Sequence, residues 1–444
     1  MPKLPIDKLA FVASIAVLSW LYGFITLYKE WFPTKLLENA LAQWQNIDPR
    51  RAPMYLHSAF YDREGTRSPL PEQVQPGLTF IASVWESSDV LMPGLRLIDA
   101  DGTVLHEWHV DVAEVFAESR KFSRIKDLDI HGAYLFPNGD VLVNLEYTGT
   151  VRLDACGNVL WRLQEGNHHS ISRDDDGTFW IRAVTPTRRG SPEHPNGFPG
   201  MRGRVYQDKL MHVTEDGAIL DTINVLDLLY ANDLEWRLAE EERQDDRDPT
   251  HLNDIEALPD SLADQYTLFQ AGDLLVSLRH LDMVLVVDPK SRRVKWYSAD
   301  FQILQHDPDF IGDGWIAIFD NRQDGTRRGT MLGGSRIIAL QPGTDSLRVL
   351  FPTSLSDSFY TNHRGEFQLL NNGNLLLVEE DTGRVLEAAP DGRTVWEWIV
   401  EPVEHSGRRM IPGVTSATRV YFNRSDVAKW RCAPGISADT KGGP

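Results

Sequence analysis

The stretch Ile303–Asn321 reads ILQHDPDFIGDGWIAIFDN. His306 stands ahead of a short apolar segment, an Asp-Gly turn follows at Asp313–Gly314, and a second apolar segment runs Trp315–Phe319. This is the pattern of a β-hairpin opened by a histidine. It recurs along the chain. His131 opens HGAYLFPNGDVLVNLEY, His168 and His169 open HHSISRDDDGTFWIRA, and His363 opens HRGEFQLLNNGNLLLVEE. His251 opens HLNDIEALPD, whose partner GDLLVSLRH is delayed by an insertion. Histidine at one register in five segments points to side chains gathered in one place.

A second phrase alternates with the first: an apolar strand, a tight turn, and a strand ending near tryptophan. Its six copies are LRLIDADGTVLHEWHV, VRLDACGNVLWRLQ, LMHVTEDGAILDTINV, MVLVVDPKSRRVKWYS, RIIALQPGTDSLRVLF and RVLEAAPDGRTVWEWI. Two hairpins make a four-stranded antiparallel sheet. Six such sheets in series predict an all-β chain folded as a six-bladed β-propeller, because a lone hairpin cannot bury its apolar face whereas stacked neighbours can. A tandem of β-sandwiches is the competing architecture. The first copy's partner, residues 79–91, is the weakest of the hairpins.

The chain has 444 residues, 42% hydrophobic and 25% charged, as in globular proteins. Thirteen tryptophans and 33 glycines suit a turn-rich β protein. A net charge of −19 argues against a nucleic-acid binder, which needs a basic surface. The two cysteines, Cys156 and Cys432, form no CxxC motif, so no structural zinc or redox dithiol is expected. They are separate thiols or, outside the cytosol, one disulfide.

Leu9–Tyr28 is a run of 20 residues without a charge, long enough to cross a bilayer as a helix. Lys3 and Lys8 precede it, and Trp20, Tyr22, Tyr28 and Trp31 suit the interfaces. A cleaved signal peptide is the competitor, but Tyr28-Lys-Glu-Trp-Phe makes a poor cleavage site. The expected organisation is a short flank (1–8), a transmembrane anchor (9–28), a stalk and linker with a short helix starting at Thr34 (29–76), the propeller (77–432) and a disordered tail (433–444). The N-terminus would be cytoplasmic and the propeller periplasmic or extracellular. Residues 185–203, 225–247 and 321–334 read as insertions, the second with a surface helix and the third carrying Arg322, Arg327 and Arg328. Loops on a rigid scaffold commonly carry function.

In a propeller the first strand of each blade lies nearest the axis. Residues at its start converge at the channel mouth, which gathers His131, His168 or His169, His251, His306 and His363. Arg279, ending GDLLVSLRH, makes that site cationic, and its planar fork of donors suits oxyanions. A metal is the rival use of imidazoles, with Asp254, Glu256 and Asp307 as possible co-ligands, but no ligand pair such as HExxH is present. Neither metal nor cofactor is expected.

The phrases HLND at His251, SLRH at Arg279, QHD at His306 and RVLEAAPDGRTVWEW in the last sheet carry a resemblance. Over about Gly77 to Val400 the chain resembles the arylsulfotransferase family, including the bacterial aryl-sulfate sulfotransferases. The resemblance implies a six-bladed propeller outside the cytoplasm. It would move a sulfuryl group from an aryl sulfate ester to a phenolic acceptor by ping-pong chemistry through a sulfated histidine, without a nucleotide donor. It implies that His306 is the nucleophile, that His251 and Arg279 hold the sulfuryl oxygens, and that His169 of the pair stands near the donor oxygen. His168, His131, His363, Asp307 and Asn253 are further candidates for contact with substrate. Asp307 is the neighbour expected to fix the His306 tautomer. The chain departs from the family in the insertion PDSLADQYTLFQA and in Phe301-Gln-Ile-Leu, where aromatic residues usually precede the nucleophile. Two other readings are a non-catalytic propeller holding a partner at the outer membrane face, and a metal-dependent enzyme in the same funnel.

Overall fold

Strands and tight turns alternate from Leu56 to Val420 in the computed structural model, which describes residues 6–29, 53, 55–87, 90–116, 129–201, 203–240, 247–344 and 346–431. Among the described residues these strands build six antiparallel sheets of four or five strands, and one small sheet of three. All six copies of the tryptophan-ending phrase form the third and fourth strands of a sheet, counted from its first, for example Met283–Asp288 with Arg293–Ser298. The alternation of the sequence dictates this: the second and third strands are buried on both faces, as in Leu274–Leu278, while the outermost strands expose alternate residues. Tightly packed apolar clusters fill the spaces between sheets, one joining Leu274, Val276 and Leu285 to Trp180 and Leu210 of the preceding sheet.

The first strands are Ile130–Leu135, Ile171–Arg173, Leu252–Ala257, His306–Gly312, Phe367–Leu369 and Ser416–Val420. Side chains on one first strand accept hydrogen bonds from backbone N–H groups of the next. Ser170 Oγ accepts from Ile255 (3.1 Å), Glu256 Oε2 from Phe310 (2.7 Å), Asp307 Oδ2 from Phe367 (2.6 Å) and Glu366 Oε2 from Ala417 (2.7 Å). First strands lying side by side are the mark of a β-propeller, not of tandem sandwiches.

The weak first hairpin has a physical explanation. Its sheet takes its first strand from the far end of the chain: Ser416–Val420 pairs antiparallel with Leu78–Ser87. Residues 79–91 therefore supply only the second strand and the start of the third.

Three sequence expectations shift. The folded unit begins at Met54, not Gly77. Within the expected linker, Gly65–Arg67 adds a fifth strand beside Thr394–Ile399, and Leu56–Ser58 pairs with Arg408–Pro412. The expected surface helix is two short ones, Val225–Ala231 and Trp236–Glu240. The first, capped by Asn224, buries Val225, Leu226, Leu228 and Leu229 against the sheets. The expected helix from Thr34 and the tail 433–444 lie outside the described residues.

The unit Met1–Pro53 holds one described helix, Ile6–Lys29. Among the described residues no helix is long and apolar enough to cross a membrane. Cys156 is disulfide-bonded, and the one other cysteine in the sequence is Cys432.

Candidate active site

Two positions in each sheet supply the site: the start of the first strand and the residue after the second. The first gives His131, His169, His251 and His306. The second gives Arg279, which begins a 3-10 turn after the strand Leu274–Leu278, and Asn321, which follows Trp315–Asp320. Register shifts open β-bulges between Ile130 and Gly132, Leu252 and Asp254, and His306 and Pro308. A bulge re-aims the side chain it displaces, here His131, Asn253 and Asp307. Tyr147, His169, His251, Asp307 and Arg364 have left-handed backbones, a strain that concentrates at functional sites.

These devices bring the predicted histidines together. His169 is the hub: its ring centroid is 4.5 Å from His131, 4.6 Å from His168, 5.3 Å from His251 and 6.4 Å from His306. The ring of Tyr147 lies 3.9 Å from His168, and His280 stacks on His251 at 4.5 Å. Arg279 is buried, and its Nη2 donates to Gln323 Oε1 at 3.1 Å, drawing in the arginine-rich insertion. His363 stands apart from the ring cluster, half-exposed, with its Nδ1 2.9 Å from Asn362 Nδ2. Burial and the Arg279 charge hold it down at about 4.

His306, His251, His168 and His169 each have a polar partner at Nδ1. His306 Nδ1 lies 2.7 Å from Asn321 Oδ1, while Asn321 Nδ2 donates to the carbonyls of Arg364 (2.6 Å) and Thr361 (3.2 Å). This corrects the expectation for Asp307, whose carboxylate turns to the amide of Phe367 on the next sheet. His251 Nδ1 is 2.6 Å from Asp248 Oδ2, a contact within one turn of chain. Arg182, fully buried, lies against Nδ1 of both His168 and His169, whose Nδ1 atoms are 2.7 Å apart, and is ion-paired to Asp208 at 2.7 Å. Asp208 also accepts from Thr250 Oγ1 and the Leu252 amide, so it fixes the chain entering His251. Asn253 Nδ2 donates to the Gln305 carbonyl at 2.7 Å, tying the His251 strand to the chain just before His306.

Burial, then the Arg279 charge, holds His306 well below its ordinary value, so its imidazole is neutral at pH 7. Burial, then nearby charge from Arg182, Arg364 or the other histidines, does the same for His131, His168 and His169. Burial lowers His251 too, against the pull of Asp248. Beyond the histidines, Asp254, Glu256, Asp307, Asp309 and Glu366 are all pushed up by burial, Asp254 and Glu366 to about 7.

Asn321, Arg182, Asp248, His280, Tyr147 and Gln323 were not singled out as site residues by sequence reasoning. One signal could have found Asn321. Arg279 follows a second strand, and the same place in the other sheets is held by Glu146, Asn321 and Glu380. Among the described residues His131, His168 and His169 are grouped closely enough to hold a metal, as are Asp248, His251 and His280; Asp254, Glu256 and Asp307 belong to no such group.

The model of one protein family, Arylsulfotransferase (ASST), matches residues 132–401, more than half of the chain. The chain belongs to the arylsulfotransferase family. Its match spans all five histidine-opened hairpins from Gly132 onward, and makes this protein a sulfotransferase-type enzyme. A search of curated proteins finds no match for this arylsulfotransferase. Among solved structures it is similar to a protein of unknown function from Bacteroides caccae, with 11% identity, a TM-score of 0.47, and 77% of this chain and 98% of that chain covered. A streptogramin B lyase structure is similar with 10% identity and a TM-score of 0.39, covering 77% of this chain and 89% of that one. Virginiamycin B lyase from Staphylococcus aureus is similar with 10% identity and a TM-score of 0.34, covering 61% and 70%.

Proposed function

We propose that this arylsulfotransferase moves a sulfuryl group from an aryl sulfate ester to a phenolic acceptor by a ping-pong mechanism in which His306 is the nucleophile. One observation carries the assignment. Both donors of the Asn321 amide are committed to backbone carbonyls, so its oxygen faces His306 and must accept a proton from Nδ1. The lone pair of His306 then lies on Nε2, the nitrogen free to attack.

In the first half-reaction Nε2 attacks sulfur and the bond from sulfur to the phenolic oxygen breaks. Arg279 and His251 hold the equatorial oxygens, so transfer rests on positioning and cationic stabilisation. His251, which ionised Asp248 and the bound sulfuryl anion together would hold protonated once substrate is in place, gives its Nε2 proton to the departing phenolate. In the second half-reaction the emptied His251 Nε2 takes the acceptor's phenolic proton as its oxygen attacks the sulfur, and the bond from sulfur to His306 Nε2 breaks to restore the free imidazole. His169 stands between the two rings and contacts the donor oxygen. No redox step or diffusible cofactor is required.

The remaining expectations stand as part of this proposal. The six sheets close as a six-bladed propeller. The uncharged run Leu9–Tyr28 anchors the chain, supported by the exposure of Phe11, Leu18, Trp20 and Phe24, with the propeller outside the cytoplasm. A disulfide at Cys156 suits an oxidising compartment.

The test is transfer from a chromogenic aryl sulfate to a phenol. His306→Asn should abolish phenolate release while leaving the fold intact. Equal release by both proteins would remove His306 from the chemistry.

A further inference from the structure

The proposed transfer needs His251 to point its Nε2 at the departing oxygen, yet the chain there has little of its own to hold it. Residues 247–250 belong to no helix or strand, and His251 itself has a left-handed backbone. The ring is oriented through Asp248, whose Oδ2 lies 2.6 Å from Nδ1 and whose Oδ1 accepts from the His251 amide at 3.2 Å. A carboxylate orients a ring only as well as its own backbone is fixed.

That backbone is held by His280, a residue with no part in the transfer so far. His280 Nδ1 lies 2.7 Å from the Asp248 carbonyl oxygen. A carbonyl oxygen only accepts, so Nδ1 carries a proton and donates it. The His280 amide donates to the Thr250 carbonyl at 3.2 Å, and the Arg279 amide to the His251 carbonyl at 3.1 Å. The 3-10 turn that carries Arg279 therefore grips the segment from Asp248 to His251. The ring of His280 also lies on that of His251, with 4.5 Å between centroids and 28° between planes.

We propose that His280 is a positioning residue for proton transfer: by holding the Asp248 carbonyl it sets the angle at which His251 presents its proton to the leaving oxygen. This rests on reading His251 as the acid of the transfer. The consequence falls on the choice of donor. A stable phenolate departs without help, whereas a basic one needs its proton during departure. His280 therefore extends the range of donors to sulfate esters of weakly acidic phenols.

The test compares phenyl sulfate with 4-nitrophenyl sulfate, a poor and a good leaving group, by kcat/KM for the donor, which reports the first half-reaction alone. His280→Phe keeps an aromatic face and lacks the donor. It should lose about 10–100-fold on phenyl sulfate and less than about threefold on 4-nitrophenyl sulfate. His280→Asn, whose side-chain N–H can replace Nδ1–H, should restore most of the phenyl sulfate rate. Equal loss on both esters in His280→Phe marks a general structural role and overturns the proposal. Loss of phenyl sulfate turnover in His280→Asn overturns it too, even if His280→Phe fails to fold. His251→Asn, run alongside, should separate the two esters at least as widely; if it does not, the acid reading of His251 has failed, whereas separation there and not in His280→Phe removes the role of His280 alone. Proton NMR without substrate gives a second readout. The His251 Nδ1–H, bonded to a carboxylate, should resonate downfield in wild type and His280→Asn and vanish in His280→Phe. Its persistence in His280→Phe overturns the proposal. So does stoichiometric binding of zinc chloride that is lost in His280→Phe, which would make the imidazole a metal ligand.

Discussion

The smallest unit of chemistry here is an imidazole and the group behind it. Asn321 and Asp248 hold His306 and His251 in the same way, by Nδ1, yet pull on them differently. A neutral amide steadies the neutral ring of His306, the proposed nucleophile, whereas a carboxylate draws the ring of His251 towards its protonated form. Asn321→Leu should lower kcat roughly 10–100-fold with little change in KM, because it frees the tautomer and leaves Arg279 and His251 in place. Asn321→Asp should act differently. A carboxylate against Nδ1 stabilises the imidazolium, so the acid limb of the pH–rate profile should rise by about one pH unit or more. A profile unchanged in Asn321→Asp would show that Asn321 does not set the state of the nucleophile.

At the scale of the strand, the site depends on one extra residue in each of three first strands. The bulge at His131 brings Gly132 against the neighbouring sheet, where an added Cβ would overlap the carbonyl oxygen of His169 and crowd Ser170 Cα at 3.1 Å. Gly132→Ala should therefore cost about 1–3 kcal/mol of stability and displace His169. A thermal melt with an activity assay checks both; an unshifted melt would mean that the two strands part easily. The strands themselves were legible in the sequence, because alternation and Asp-Gly turns are local signals. The five histidines were legible for the same reason, as repeats at one register. What the sequence hid was non-local. Asp307 is adjacent to His306 in the chain, and the bulge turns it to the next sheet, while Asn321 reaches the ring across a hairpin. Arg182 carries no local mark at all, since it sits within an ordinary apolar strand, FWIRAV, and meets the histidines only through the fold.

Across the whole molecule, the buried histidines and the channel carboxylates set opposite pH limits. The histidines titrate below their unfolded value of 6.5, so the folded state lacks protons that the unfolded chain takes up, and stability is lost as pH falls below 6.5. Asp254 and Glu366 are raised to about 7, with Asp307 and Asp309 higher than their usual range, so the folded state keeps protons that the unfolded chain releases. That stability is lost as pH rises from the unfolded carboxyl range to about 7 for Asp254 and Glu366, and over a longer span for Asp307 and Asp309. Below 6.5 the two sets oppose each other, and above it only the carboxyls still titrate, so the melting temperature should fall as pH rises above 7, and Asp309→Asn should flatten that fall. A melt that climbs steadily to pH 9 would contradict this. The pairing of Ser416–Val420 with Leu78–Ser87 has one more consequence, which concerns time. Ser83 Oγ donates to the carbonyl of Gly413, a residue synthesised 330 positions later. A ribosome or a translocation channel delivers the first sheet early and its missing strand almost last. Until then the chain presents an open sheet edge with unpaired N–H and C=O groups. The histidines are held in one place by the sheets around them, so their cluster should be assembled only after nearly the whole polypeptide has emerged. Catalytic competence would then be acquired at the end of synthesis and not during it.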